Sequence, residues 1–152
     1  MPLISIPPLQ QITNAAPMSI EVAGVCCRIM IDHIGIRVSD LERAIAFYSA
    51  ALAPLGYKQI MRFEQFVGFG VPPKPDFWIQ GGSAPNQPSH VAFQAIGRQR
   101  VRDFYAAAIA AGGKDNGPPG LRPHYHEHYY GAFVLDADGN NIEAVCHEPF
   151  LG

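Results

Sequence analysis

The alternation of apolar and polar residues in "IDHIGIRVSDLERAIAFY", Ile31 to Tyr48, predicts a short strand, a turn and a helix. In the strand, Ile34, Ile36 and Val38 share one face while His33, Gly35 and Arg37 share the other, because successive strand side chains point to opposite sides. In the helix, Leu41, Ala44, Ile45, Tyr48, Ala51 and Leu52 recur at a spacing that forms one apolar face. Ser39 and Glu42 ahead of it form a capping-box pattern, and Gly56 is the expected stop.

The pattern occurs twice. Displaced by 57 positions, His33 falls on His90, Arg43 on Arg100, Phe47 on Phe104, Tyr48 on Tyr105 and Gly56 on Gly113. The second helix shows the same face at Val101, Phe104, Tyr105, Ala108 and Ile109, and Gly112-Gly113 end it. Strands are expected after each helix: "KQIMRFEQFVGFG" and "DFWIQ" in the first copy, "YYGAFVLDA" and "NIEAVCH" in the second, with "DADGN" as a hairpin turn. The unit is β-α-β-β-β, repeated, so the fold class is α+β. Module one spans residues 30–80, a linker 81–89 and module two 90–148. "GFG" (Gly68–Gly70) and "GPPG" (Gly117–Gly120) read as turns or mobile edges.

Composition narrows the function. Hydrophobic residues make up 48% of 152, and the formal net charge is -2 with scattered basic residues. This is a globular chain without the electrostatic footprint of a nucleic-acid or anionic-membrane partner. No run is long enough for a transmembrane helix. Three cysteines, two of them adjacent, make no even disulfide framework, which points to a reducing compartment, the cytoplasm. Residues 1–29 hold four Pro, no Lys and one Arg, and read as an irregular extension with a short strand near Ile20–Val25. Met30 is a possible alternative start.

The candidate chemistry lies on the strand faces turned away from the helices. His33 and Arg37 share that face in the first strand, His90 and Gln94 in the fifth, and Asn141 and Glu143 in the last. Two imidazoles and a carboxylate are the ligand set of a facial triad with coordination positions left open. Taken singly, each residue is equally at home on the wet face of an antiparallel sheet. "RPHYHEHYY", Arg122 to Tyr130, would put His124, His126 and His128 on one face if extended. His126 is the candidate acid–base group at a cavity mouth. Tyr130 is a further catalytic candidate and Tyr129 a substrate-orienting one. A separate zinc site or a plain polar loop are the alternatives. Arg37 suits a carboxylate or phosphate, and Trp78 an aromatic substrate or a cavity wall. "DADGN" is not a calcium loop, because its sixth position is Asn141 and its twelfth His147.

"DHIGIRVSDLERAIAFY", "HVAF" and "DADGNNIEAV" resemble the vicinal oxygen chelate superfamily, which includes glyoxalase I, extradiol dioxygenases and the bleomycin-resistance proteins. The resemblance covers about residues 30–147. It implies two βαβββ modules, each a half-open sheet, around a metal cavity. It implies one divalent ion (Fe, Mn, Zn, Ni or Co) on His33, His90 and Glu143, a small-molecule substrate and a homodimer, with lyase, isomerase or dioxygenase chemistry. A metal-free, ligand-sequestering protein is the alternative. One departure stands out: aligning "PDFWIQ" with "NNIEAV" sets Trp78 opposite Glu143, where glyoxalase I has a second glutamate.

Overall fold

Among the described residues, eight strands and two helices carry out the repeat. The computed structural model describes residues 31–82 and 87–149. The short strand expected near Ile20–Val25 lies outside these residues. Module one runs β1 (Ile34–Arg37), α1 (Leu41–Leu52), a 3-10 turn (Ala53–Leu55), β2 (Lys58–Phe63), β3 (Phe66–Gly70) and β4 (Phe77–Gln80). Module two runs β5 (His90–Gln94), α2 (Arg98–Ala110), β6 (Lys114–Leu121), β7 (Tyr130–Leu135) and β8 (Asn141–Cys146). Each module makes its own four-stranded mixed sheet, in the order β1-β4-β3-β2 and β5-β8-β7-β6. The first strand of each module pairs in parallel with the last. Among the described residues no helix is long and apolar enough to cross a membrane.

The helix-facing sides of both sheets meet in one core. Val67, Phe69, Phe77 and Ile79 from module one and Phe93, Ala132, Val134, Ile142 and Ala144 from module two are buried there. Edge-to-face contacts run from Tyr48 to Phe77 at 5.0 Å and from Phe77 to Phe93 at 5.2 Å, so aromatic packing joins the modules. A buried polar contact does the same. The Tyr48 hydroxyl donates to Asp136 Oδ2 at 2.6 Å. The Asp136 carboxylate also accepts from the Asn140 amide N–H and side chain and from the Asp138 N–H, which fixes the "DADGN" hairpin.

Four local expectations change. The cap of α1 is Asp40, which accepts from the Arg43 N–H at 3.0 Å, while the Ser39 N–H is taken by Asp138 across the fold. "GPPG" lies inside β6, and "GFG" inside β3. The prolines are tolerated because β6 is the outer strand of its sheet and its ladder to β7 skips Asn116, Pro118 and Pro119. Gly68 and Gly70 are glycines because other groups occupy the space of a side chain: a Cβ at Gly70 would lie 2.3 Å from the Lys74 carbonyl oxygen, and one at Gly68 would lie 2.9 Å from Pro75 Cβ. "RPHYHEHYY" is not extended. It forms two turns closed by the Arg122 N–H on the Tyr129 carbonyl at 2.8 Å and the Tyr129 N–H on the His126 carbonyl at 3.0 Å.

Candidate metal centre

Strand register decides which side chains meet. In module two, Ala92 pairs with Glu143, two residues beyond His90. In module one, Gly35 pairs with Trp78, two residues beyond His33. His33 therefore corresponds to His90, and Trp78 stands where module two has Glu143. Glu143 lies 65 positions after Trp78, whereas His90 lies 57 after His33. The eight extra residues fall between α2 and β7, where the tight turn at Glu64–Gln65 of module one becomes the loop Arg122–Tyr129.

Module two assembles a connected group. Glu143 is 1% exposed, so both its oxygens need partners inside the protein. His90 Nε2 lies 3.2 Å from Glu143 Oε2. His90 Nδ1 lies 3.1 Å from the Asn141 carbonyl oxygen and 3.0 Å from the Asn141 side-chain Nδ2, so Asn141 holds the ring and Nε2 is the nitrogen turned toward Glu143. The Tyr129 hydroxyl donates to Glu143 Oε1. Burial, and then that hydrogen bond, push the Tyr129 phenol above its ordinary range, so it keeps its proton across neutral pH. The Tyr129 ring lies edge-on to Tyr125 at 5.2 Å and to His147 at 5.1 Å.

The fit to a metal ion can be judged from this group. Two donors about 2.1 Å from one ion and at right angles to it are about 3 Å apart. The 3.2 Å between His90 Nε2 and Glu143 Oε2 matches that separation. The carbonyl behind Nδ1 is the usual support that aims a ligating imidazole. His33 is held in the same manner, with Nδ1 on Asp32 Oδ2 at 2.9 Å. Hydrogen bonding from His33, and then from Lys74, holds the Asp32 carboxyl below its usual range. Yet among the described residues no three His, Cys, Asp or Glu side chains come close enough to share an ion. His33 thus does not join His90 and Glu143 within one chain.

The other predicted residues spread over both faces. Gln94 is exposed on β5, on the His90 face. Arg37 pairs along β1 and β4 with Gln80; Arg37 Nε and Gln80 Oε1 are buried, and among the described residues neither has a hydrogen-bond partner. Trp78 is 7% exposed, with its indole against Gly68. Most of its ring is packed inside the protein. His126 is exposed in the loop; its Nδ1 accepts from the His128 N–H at 3.2 Å and its ring is 6.1 Å from that of His147. Tyr130 is not brought to Glu143. It pairs with Cys146 on the helix side, under the Arg98 guanidinium at 5.1 Å. Parity separates the two tyrosines: the hairpin sets Leu135 opposite Asn141 and Phe133 opposite Glu143, so Tyr129 and Gly131 follow on the Glu143 side. Counting back by twos from "DADGN" was the signal available for this.

The family model described as the glyoxalase/bleomycin resistance protein/dioxygenase superfamily matches residues 30–144. The chain belongs to that superfamily. A glyoxalase/bleomycin resistance protein from Albidiferax ferrireducens T118 is 30% identical, with a TM-score of 0.69 over 77% of this chain and 98% of that one. A glyoxalase/bleomycin resistance protein/dioxygenase family enzyme from Burkholderia phytofirmans PsJN is 19% identical and shares the fold, with a TM-score of 0.61 over 78% and 98%. A glutamate-to-glutamine mutant of glyoxalase I from Zea mays is 25% identical, with a TM-score of 0.57 over 76% of this chain and 46% of that one. A search of curated proteins gives no match. Superfamily membership accounts for the paired modules. It does not by itself assign a reaction.

Proposed function

We propose that this superfamily member is a metal-dependent enzyme acting on a small substrate that chelates through oxygen. The observation that carries the reading is the His90 Nε2 to Glu143 Oε2 approach of 3.2 Å, with the far side of each group already held by Asn141 and Tyr129. His33 of a second copy of the chain completes the ligand set, which makes the active form a homodimer. A divalent ion bound there supplies Lewis acidity that stabilises a developing enolate or similar anion.

The remaining residues bind and orient. Arg37, whose Nε has no hydrogen-bond partner among the described residues, takes a carboxylate or phosphate of the substrate, and Gln80 and Gln94 offer hydrogen bonds. Trp78 forms an apolar wall. His126, exposed in the loop Arg122–Tyr129, is the acid–base candidate. Trp78 in place of a second carboxylate removes the base that glyoxalase-type proton transfer uses, which favours extradiol-type dioxygenase chemistry over lyase or isomerase chemistry. The buried free thiol of Cys146 agrees with a reducing compartment, the cytoplasm. The same Trp78 favours a second reading, a sequestering module without metal.

Mixing the variants His33→Ala and Glu143→Ala tests the proposal. Each alone loses the ion. In a mixed dimer one site regains all three ligands, so metal returns at up to about one ion per mixed dimer. Metal retained by either variant alone, or no metal in the parent protein after reconstitution, contradicts it.

A further inference from the structure

We infer that Tyr129 is a positioning residue for Glu143: its hydroxyl occupies Oε1, so that Glu143 presents Oε2 alone, beside His90 Nε2. The inference rests on the metal reading above and deepens it.

Three observations converge on it. Tyr129 donates to Oε1 of a carboxylate that is 1% exposed, while Oε2 faces His90 Nε2 at 3.2 Å. The two oxygens are thus given different tasks. Tyr129 is itself held, its ring between Tyr125 and His147 and both its backbone groups bonded within the loop Arg122–Tyr129. Such a fixed donor determines the side-chain angle of its acceptor. Finally, Gly131 leaves room for the pair: a Cβ there would sit 3.0 Å from Glu143 Oε1 and 3.1 Å from Tyr129 Cε1. Gly131 has no left-handed backbone angle, so the space for this contact, not backbone conformation, accounts for the missing side chain.

The loop that supplies Tyr129 is the part of module two that module one lacks, since Glu64–Gln65 is a bare turn. The insertion and the acidic ligand therefore occur in the same module. Module one, with Trp78 in place of the acid, has neither.

The experiment is a Co²⁺ titration of the full chain, read by visible absorption well below the melting temperature, for the parent and for Tyr129→Phe, Gly131→Ala, Tyr125→Phe and Glu143→Gln. Tyr129→Phe keeps the ring and removes the donor. Gly131→Ala keeps the donor and displaces it, and serves if Tyr129→Phe does not fold. Both are expected to weaken Co²⁺ binding about 10- to 100-fold, with absorption lowered per bound ion as Glu143 turns to bind through both oxygens. Tyr125→Phe binds as the parent does. A purely structural Tyr129 would lower the melting temperature and leave affinity unchanged; parent-like affinity in Tyr129→Phe and Gly131→Ala overturns the inference and leaves the metal reading standing. Failure of the parent to bind Co²⁺, or parent-like binding by Glu143→Gln, overturns both.

Discussion

The two modules share a backbone plan and differ in what they put on it. Module two carries an anion on its outer face: Glu143, buried, bridged by Tyr129 and His90. Module one carries a cation and an indole: Arg37 beside Gln80, and Trp78 where the acid would be. Module one also covers its face, with Pro75 and the Lys74 carbonyl folded against Gly68 and Gly70. Module two leaves His90, Ala92 and Gln94 exposed. The strand histidine recurs in both modules, while the partner strand and the loop after the second strand differ between them. A duplicated fold can thus carry different chemistry on its two equivalent faces.

That asymmetry can be broken or sharpened by substitution. The largest effect is expected from Trp78→Glu, which gives module one the acid of module two. It exchanges a packed indole for a charge in a site closed by Pro75, and should cost about 3–5 kcal/mol in urea unfolding. Gly70→Ala drives a methyl into the Lys74 carbonyl and should cost about 2–3 kcal/mol by the same measurement. The repeated Phe-Tyr pair comes next. Tyr48→Phe removes the buried donor to Asp136 and should cost about 1–2 kcal/mol, whereas Tyr105→Phe, at the matching position where the phenol reaches Asp115 in the open, should cost less. The smallest effect is at the helix starts. Asp40→Ala should cost about 1 kcal/mol or less and let the first turn of α1 exchange amide hydrogens as fast as that of α2, whose cap Gly97 has no side chain to offer.

Much of this comparison was legible in the sequence. The recurrence of His, Phe-Tyr and Gly at one offset, with period-2 and helical patterns between, was enough for two βαβββ modules, and aligning the last strands already set Trp78 against Glu143. These features are local and periodic. What escaped is set by long-range geometry. The strand through "GPPG" does not look like one, because its pairing is bulged and its prolines sit on an edge. Asp40, not Ser39, caps α1, and the Ser39 N–H expected to bond Glu42 is instead taken by Asp138, from a hairpin 99 positions away. Tyr129 and Tyr130 are chemically alike in sequence, and only strand parity sends one to Glu143 and the other under Arg98. His33, read in the sequence as a candidate ligand, is not gathered with His90 and Glu143 within the chain, because residues on the equivalent faces of two separate sheets need not meet, and local pattern carries no record of how far apart the sheets set them.

Metal content of the purified, untagged chain tests the account most directly, measured by elemental analysis for the parent, Glu143→Gln and Trp78→Ala after reconstitution with divalent ions. The parent and Trp78→Ala should each hold about one ion per chain, and Glu143→Gln close to none. An ion retained by Glu143→Gln, or lost from Trp78→Ala while that variant stays folded, would contradict the assignment of the metal-binding carboxylate to module two.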